Sequence, residues 1–397
     1  MQKTIYLILV IGISCFSCQQ QPTETLPIVK VDVDNSCTIN IDDIAENITC
    51  ENLTFPDSTD GLLGEITDIF PFREYLVLHD YYEKAIHLFR PNGEWVNTLN
   101  KVGRGPGEYL DLEVFSIDHE SEQIIIYDRE RGCFGFYSLP DFKYIKSDPA
   151  QKYIMSFACI EKGKWLTISD QHPPKKRIYD GIEIYNPRKR TYHKMEWPYS
   201  AMSIDLSYAR TFSYINEKIY YAHPHIEPTI YDISSSKIRP VLKVDFGKYN
   251  PDKAMLKITE PLQFNDFVTT HEVAYMPHIF FTNEKLHAFI FLFMYNPQQP
   301  RFHLHDKQNQ KNYTFSKIKF EGIEMPHFKP IGIFKEKYVC LIYPHDCTID
   351  EEKIKKSPLS RLLAKKIKES KDEGTPVLFM FTPKIPTKTP FTNNIYP

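Results

Sequence analysis

The sequence lacks an apolar run long enough to cross a bilayer as a helix, which takes about 20 residues. Its densest internal run, Ala288 to Tyr295, suits a buried strand instead. A basic excess is also missing: the formal net charge is −3, which argues against a nucleic-acid-binding face. No His-Glu-x-x-His, no pair of Cys-x-x-Cys motifs and no Gly-x-Ser-x-Gly occurs. The sequence therefore assigns no catalytic residue, no metal site and no cofactor. Glycine is scarce at 15 residues, whereas 25 tyrosines and 27 phenylalanines, with Pro-rich punctuation, favour sheet over helix.

The N-terminus reads as a targeting signal. Lys3 precedes an apolar run from Ile5 to Ile13, too short to span a membrane and followed by small residues. Cys15 and Cys18 each follow a serine, and the stretch resembles a bacterial lipoprotein signal. Cys18 is the preferred acylation site, because the polar run Gln19 to Glu24 begins directly behind it and makes a tether. Phe16 and Cys15 depart from the aliphatic and small residues usual before that cysteine. Gln19 rather than Asp, with no acidic cluster behind it, points to the outer membrane and its periplasmic side. The expected organisation is a signal peptide and lipidated cysteine over 1–18, a tether over 19–27 and one domain over 28–397. Beyond the signal, Cys37, Cys50, Cys133, Cys159, Cys340 and Cys347 remain. An exported compartment permits disulfides, but spacing leaves their pairing open. Cys133 and Cys340 sit inside apolar strand patterns and read as buried thiols.

A repeat runs through the chain. Tyr75 to Asp80 and Gln123 to Asp128 are apolar strands ending in aspartate, and Phe89 and Tyr137 each follow nine residues later. The offset of 48 residues fits one four-stranded propeller blade. The turns Pro91-Asn-Gly93 and Leu139-Pro-Asp141 lead to third strands, Trp95 to Leu99 and Lys143 to Ile145. Later units begin at Lys164, Lys218, Lys285 and Lys337, giving a count of six. A sheet with two apolar faces cannot bury both alone, and radial packing buries each against its neighbours. The expected fold class is all-β, a six-bladed β-propeller. The segment from about 350 to 372 breaks the strand pattern, with Ile354, Leu359, Leu362, Leu363 and Ile367 at helical spacing, and reads as a helical insertion in the last blade. Alternation in Ile28 to Val33 and in Thr38 to Ile41 predicts strands, one of which is expected to pair with the last blade and close the ring.

At the first junction between units stands Val-Gly-Arg-Gly-Pro-Gly-Glu-Tyr, residues 102–109, followed by strands Val114 to Asp118 and Ile124 to Asp128. This resembles an NHL-type repeat. With the Cys18 signal, the charged helix and the strand Pro376 to Phe381, the chain resembles the six-bladed β-propeller lipoproteins of Bacteroides-type bacteria. That resemblance implies fold and location, and no chemistry. The turn is nearly absent from the later units, so it marks one special junction.

Gly103, Arg104, Gly105, Gly107 and Glu108 are the candidate ligand or anion loop. Nothing like a P-loop Gly-Lys-Ser/Thr follows, so a turn between blades is the plainer account. His223 and His225, and likewise His303 and His305, are i, i+2 pairs that could hold a metal if Glu227 or Asp306 joined them. Without a third ligand they read as ordinary histidines. Asp80 and Asp128 read as turn caps. The functional expectation is a binding or scaffolding module held to the membrane by its N-terminal lipid, with an unidentified protein or glycan partner and no nucleic acid. The alternative is a metal-assisted lyase or hydrolase at the channel mouth.

Overall fold

The computed structural model describes residues 26–387, apart from 57–62, 162, 171–178, 196–211, 223–227, 253, 256–257, 259–260, 295, 297–298 and 372–373. The chain is all-β and folds as a β-propeller of consecutive antiparallel meanders. The first comprises strands Ile66–Phe72, Tyr75–Asp80, Ala85–Phe89 and Trp95–Leu99, and the second Val114–Asp118, Gln123–Asp128, Cys133–Ser138 and Tyr144–Pro149. The third runs from Tyr153–Cys159 to Thr191–Lys194, the fourth from Phe212–Ile215 to Arg239–Asp245, and the fifth from Ala274–Thr282 to Lys311–Lys319. The last comprises Gly332–Phe334, Lys337–Ile342 and Val377–Pro383, completed by Ala45–Asn52 from near the N-terminus.

The first strand of each meander lies against that of the next. The Cys159 amide donates to Ser116 Oγ at 3.0 Å, and the Phe280 amide to Ser213 Oγ at 2.9 Å. Gly332 pairs in parallel with Ile69, joining the last meander to the first. A Cβ at Gly332 would stand 2.3 Å from the Ile69 carbonyl oxygen, so only glycine permits this approach. Aromatic side chains from three of the inner strands meet. Phe70 meets Phe115 at 5.0 Å and Tyr214 at 5.6 Å between ring centroids, both edge-on.

The expected closure needs correction. Neither Ile28 to Val33 nor Thr38 to Ile41 pairs with the last meander. Ile28–Lys30 adds in parallel to Arg239–Asp245, and Cys37–Asn40 adds in parallel to Lys311–Lys319. After a single helical turn, Ile41–Ile44, the strand Ala45–Asn52 pairs antiparallel with Val377–Pro383 and completes the ring. The N-terminal segment is thus a strap over three successive sheet edges. The alternation is real, since Val29, Val31, Val33 and Ile39 are buried, but alternation names a face and not a partner.

The insertion folds as a short 3₁₀ turn, Ile354–Lys356, and a helix, Pro358–Lys371. Ile354, Leu363 and Ile367 bury their side chains, Leu359 packs at the edge of the core, and Leu362 stays exposed. All six described cysteines are free thiols; Cys340 is buried and Cys133 half-buried. No helix among the described residues is long and apolar enough to cross a membrane.

Candidate functional site

A cavity of about 390 Å³ opens where the first, fifth and last meanders meet. The first meander contributes Ile66, Thr67 and Asp68 from its inner strand, His79 from near the end of its second strand and Tyr81 from the turn beyond. Glu113 enters just before the second meander. The fifth supplies Met276, His278 and Leu292. The last supplies Ile331, Leu341 and Tyr343, with the connecting segment Met325 to Lys329 and with Asp346 and Cys347.

His79 links this cavity to the aromatic contact between the inner strands. Its ring meets Phe115 edge-on at 5.1 Å, and Phe115 is the partner of Phe70. Its Nδ1 lies 3.0 Å from Thr67 Oγ1 and 3.8 Å from Asp68 Oδ2. Tyr81 donates its hydroxyl to Glu113 Oε1 at 3.3 Å, and Arg129 Nη1 donates to Glu113 Oε2 at 2.5 Å. The Ile66 amide donates to the Tyr343 hydroxyl at 3.4 Å.

The inner strand of the fifth meander is distorted where it lines this cavity. Its register breaks on both sides of His278, and Met276 and Ile279 adopt φ of +56° and +48°. For a β-branched isoleucine this conformation is strained. It persists because the Ile279 carbonyl accepts the Tyr338 hydroxyl at 3.0 Å and the Phe280 amide is held by Ser213. Strain retained in this way clusters at ligand clamps. Met276 and His278 both line the cavity.

Burial pushes the Tyr343 phenol above its ordinary pKa, and the Asp80, Glu65 and Asp346 carboxylates add to the shift. Burial and then Asp346 raise the Cys347 thiol to about 11. Sequence reasoning missed this site because its residues come from separate strand ends and loops that share no motif.

The loop singled out in the sequence lies elsewhere, between the first and second meanders. Glu108 Oε2 accepts the Gly105 amide at 2.6 Å, and a Cβ at Gly103 would stand 2.1 Å from that same oxygen. Gly107 has φ of +75°, and a Cβ there would stand 2.8 Å from Cγ of Tyr144. Tyr109 anchors the loop by donating its hydroxyl to the Lys84 carbonyl at 2.7 Å. Arg104 belongs to the same turn, and Arg131 donates to the Glu108 carbonyl at 2.6 Å.

Asp80 and Asp128 cap turns. Asp80 accepts the Gly64 and Glu83 amides at 2.6 and 3.1 Å, and Asp128 accepts those of Leu110 and Arg131 at 2.9 and 3.1 Å. His303 and His305 lie buried on one face of their strand, while Asp306 caps the following turn through the Gln308 and Asn309 amides. His223, His225, Glu227, Cys15 and Cys18 lie outside the described residues. Among the described residues no group of three or more His, Cys, Asp or Glu is placed to hold a metal ion.

The family model for DUF4934, a domain of unknown function, matches residues 23–382. The chain belongs to this family. No curated protein matches it. Among solved structures, a protein of Bacteroides fragilis NCTC 9343 described as exported is 17% identical, with a TM-score of 0.68, covering 91% of this chain and 100% of its own. A member of the DUF4221 family from Bacteroides vulgatus ATCC 8482 is 12% identical, with a TM-score of 0.49, over 86% and 97%. The Cps50 (Swd1) β-propeller domain of Myceliophteria thermophila is 8% identical, with a TM-score of 0.39, over 71% and 94%. The likeness to the first of these is one of fold.

Proposed function

We propose that the chain is an exported, lipid-anchored binding module that holds a small ligand at the mouth of a six-bladed propeller and performs no chemistry on it. The observation that carries this reading is the cavity of about 390 Å³ lined from three sheets. Its size falls within the range of small-molecule pockets, about 300–1,000 Å³. Export is supported by the N-terminal pattern and by the exported relative in Bacteroides fragilis. Lipid attachment at Cys18 rests on the sequence. The six repeated units agree with six blades, the last completed by the strap, and with one domain from residue 28 onward.

The test uses the mature protein and two cavity-filling variants, Ile331→Trp and Met325→Trp, whose fold is first checked by circular dichroism. Each is incubated with a small-molecule extract of the host envelope and examined by native mass spectrometry. A bound mass on the parent that both variants lack supports the reading. Identical spectra for all three would remove it.

A further inference from the structure

We infer that the fifth-sheet wall of this cavity is a lid: the helix Pro261–Thr270 and the strand ends it packs on open together, apart from the rest of the fold, and admit the ligand. The inference rests on the small-ligand reading for its purpose and adds the route of entry. The helix precedes the inner strand Ala274–Thr282. Phe264 and Val268, four residues apart, turn inward, whereas Leu262 is 82% exposed. They meet Val273, Tyr275 and Leu292 in a small apolar core of their own, separate from the larger cores that hold the sheets. Within it the Phe264 ring meets Tyr275 edge-on at 5.7 Å between centroids. The helix Pro358–Lys371 differs: it lies along the strand Ala45–Asn52 and buries Leu363 and Ile367 in the largest core.

This small core is also a wall. Leu292 belongs to it and lines the cavity, and Met276 packs at its edge and lines the cavity too. Its joint with the rest of the fifth sheet falls where the inner strand breaks register, between Tyr275 and His278 and again between His278 and Phe281. On the near side Ala274 and Tyr275 pair with Phe293 and Leu292, so helix and strand ends form one piece. On the far side Phe281 and Thr282 pair with Ala288 and His287, and Ser213 holds the Phe280 amide. The left-handed residues Met276 and Ile279 bracket the joint. The free energy of a local opening follows the apolar contacts that the segment gives up. Two inward residues on a helix of ten are few, and an interrupted ladder passes on little of the cohesion of the sheet.

The test follows thiol labelling of the mature protein with fluorescein-5-maleimide at pH 7.5, each modified cysteine being located by peptide mass mapping. Val268→Cys places a thiol inside the small core, and Leu341→Cys places one on the last-sheet wall of the cavity; both positions are buried. Cys159, buried between the second and third sheets, reports opening of the whole fold. Both introduced thiols are expected to react roughly tenfold or more faster than Cys159, because they need only the local opening. Phe264→Ala, added to each, should speed both by a similar factor, roughly tenfold or more, and leave Cys159 unchanged. If Val268→Cys reacts no faster than Cys159, the helix opens only with the whole fold and the inference falls. If Leu341→Cys reacts at once without Phe264→Ala, or fails to follow Val268→Cys, the helix does not control the cavity and the inference falls as well. The mass spectra of the parent and its tryptophan variants test the ligand independently, so a fixed wall and an empty cavity are told apart.

Discussion

Gly107→Val tests whether the glycine-rich junction is a conformational necessity. Gly107 sits at φ of +75°, a region that a β-branched residue enters at a cost of about 1–3 kcal/mol. The new Cβ would also meet Tyr144, whose Cγ and Cβ lie 2.8 and 2.9 Å away. Tyr144 is on the outer strand of the second sheet and is partly exposed, so its ring can move. Its displacement gives up the edge contact with Tyr137, 5.8 Å between centroids, worth about 0.5–1.5 kcal/mol. The two effects together come to about 1.5–4.5 kcal/mol. Arg104→Ala, in the same turn, should stay within about 0.5 kcal/mol. Urea unfolding of the mature protein, followed by tryptophan fluorescence, measures both. A parent-like midpoint for Gly107→Val would refute the conformational argument. Stabilisation of the parent by sulfate or phosphate that disappears in Arg104→Ala would show that the loop recruits anions.

Further expectations follow from other parts of the molecule. Burial lowers the pKa of His287 and His303 to about 3, so between that value and the ordinary 6.5 the unfolded chain binds more protons. Stability should fall as pH drops through this window, and His303→Leu should flatten the dependence of the urea midpoint on pH; an unchanged slope would contradict the neutral buried histidine. Burial works against the Asp80 carboxylate, yet His87 and the Glu83 and Gly64 amides hold its pKa below the ordinary value. Its contribution is present above the unfolded pKa and is lost as pH falls through the folded one. Asp80→Asn should therefore destabilise by about 1–3 kcal/mol at pH 7 and less at pH 3, measured by urea unfolding; equal losses at both values would count against a charged cap. Cys18→Ala should release the protein from the membrane fraction, and persistent attachment with lipid on Cys15 would move the acylation site.

Strands that carry their own apolar pattern were legible in the sequence. Tyr75–Asp80 and Gln123–Asp128 match the structure to the residue, and the start at Lys337 is that of the strand Lys337–Ile342. The inner strand Ala274–Thr282 was not read, because its two register breaks and left-handed residues erase the period-2 signal. The helix Pro261–Thr270 was missed as well. It is short, and Phe264 and Val268 give it only one buried pair at helical spacing. The strap shows a different limit. Its burial pattern was correct, but its partners lie far along the chain, and local periodicity holds no information about them. The cavity was illegible for the same reason, since Asp68, His278, Ile331 and Asp346 become neighbours only when the first, fifth and last sheets close together.

Ring completion by Ala45–Asn52 also fixes when the molecule can finish folding. Synthesis makes this strand early and its partner, Val377–Pro383, almost last. A nascent chain short of its final strand holds a strap whose middle can already lie along the fourth and fifth sheets, while its last strand presents an unpaired edge. Gly332, which is made before that final strand, can already stand beside Ile69 of the first sheet. The final step therefore seals one seam from both ends of the domain, and losing either strand opens the same gap.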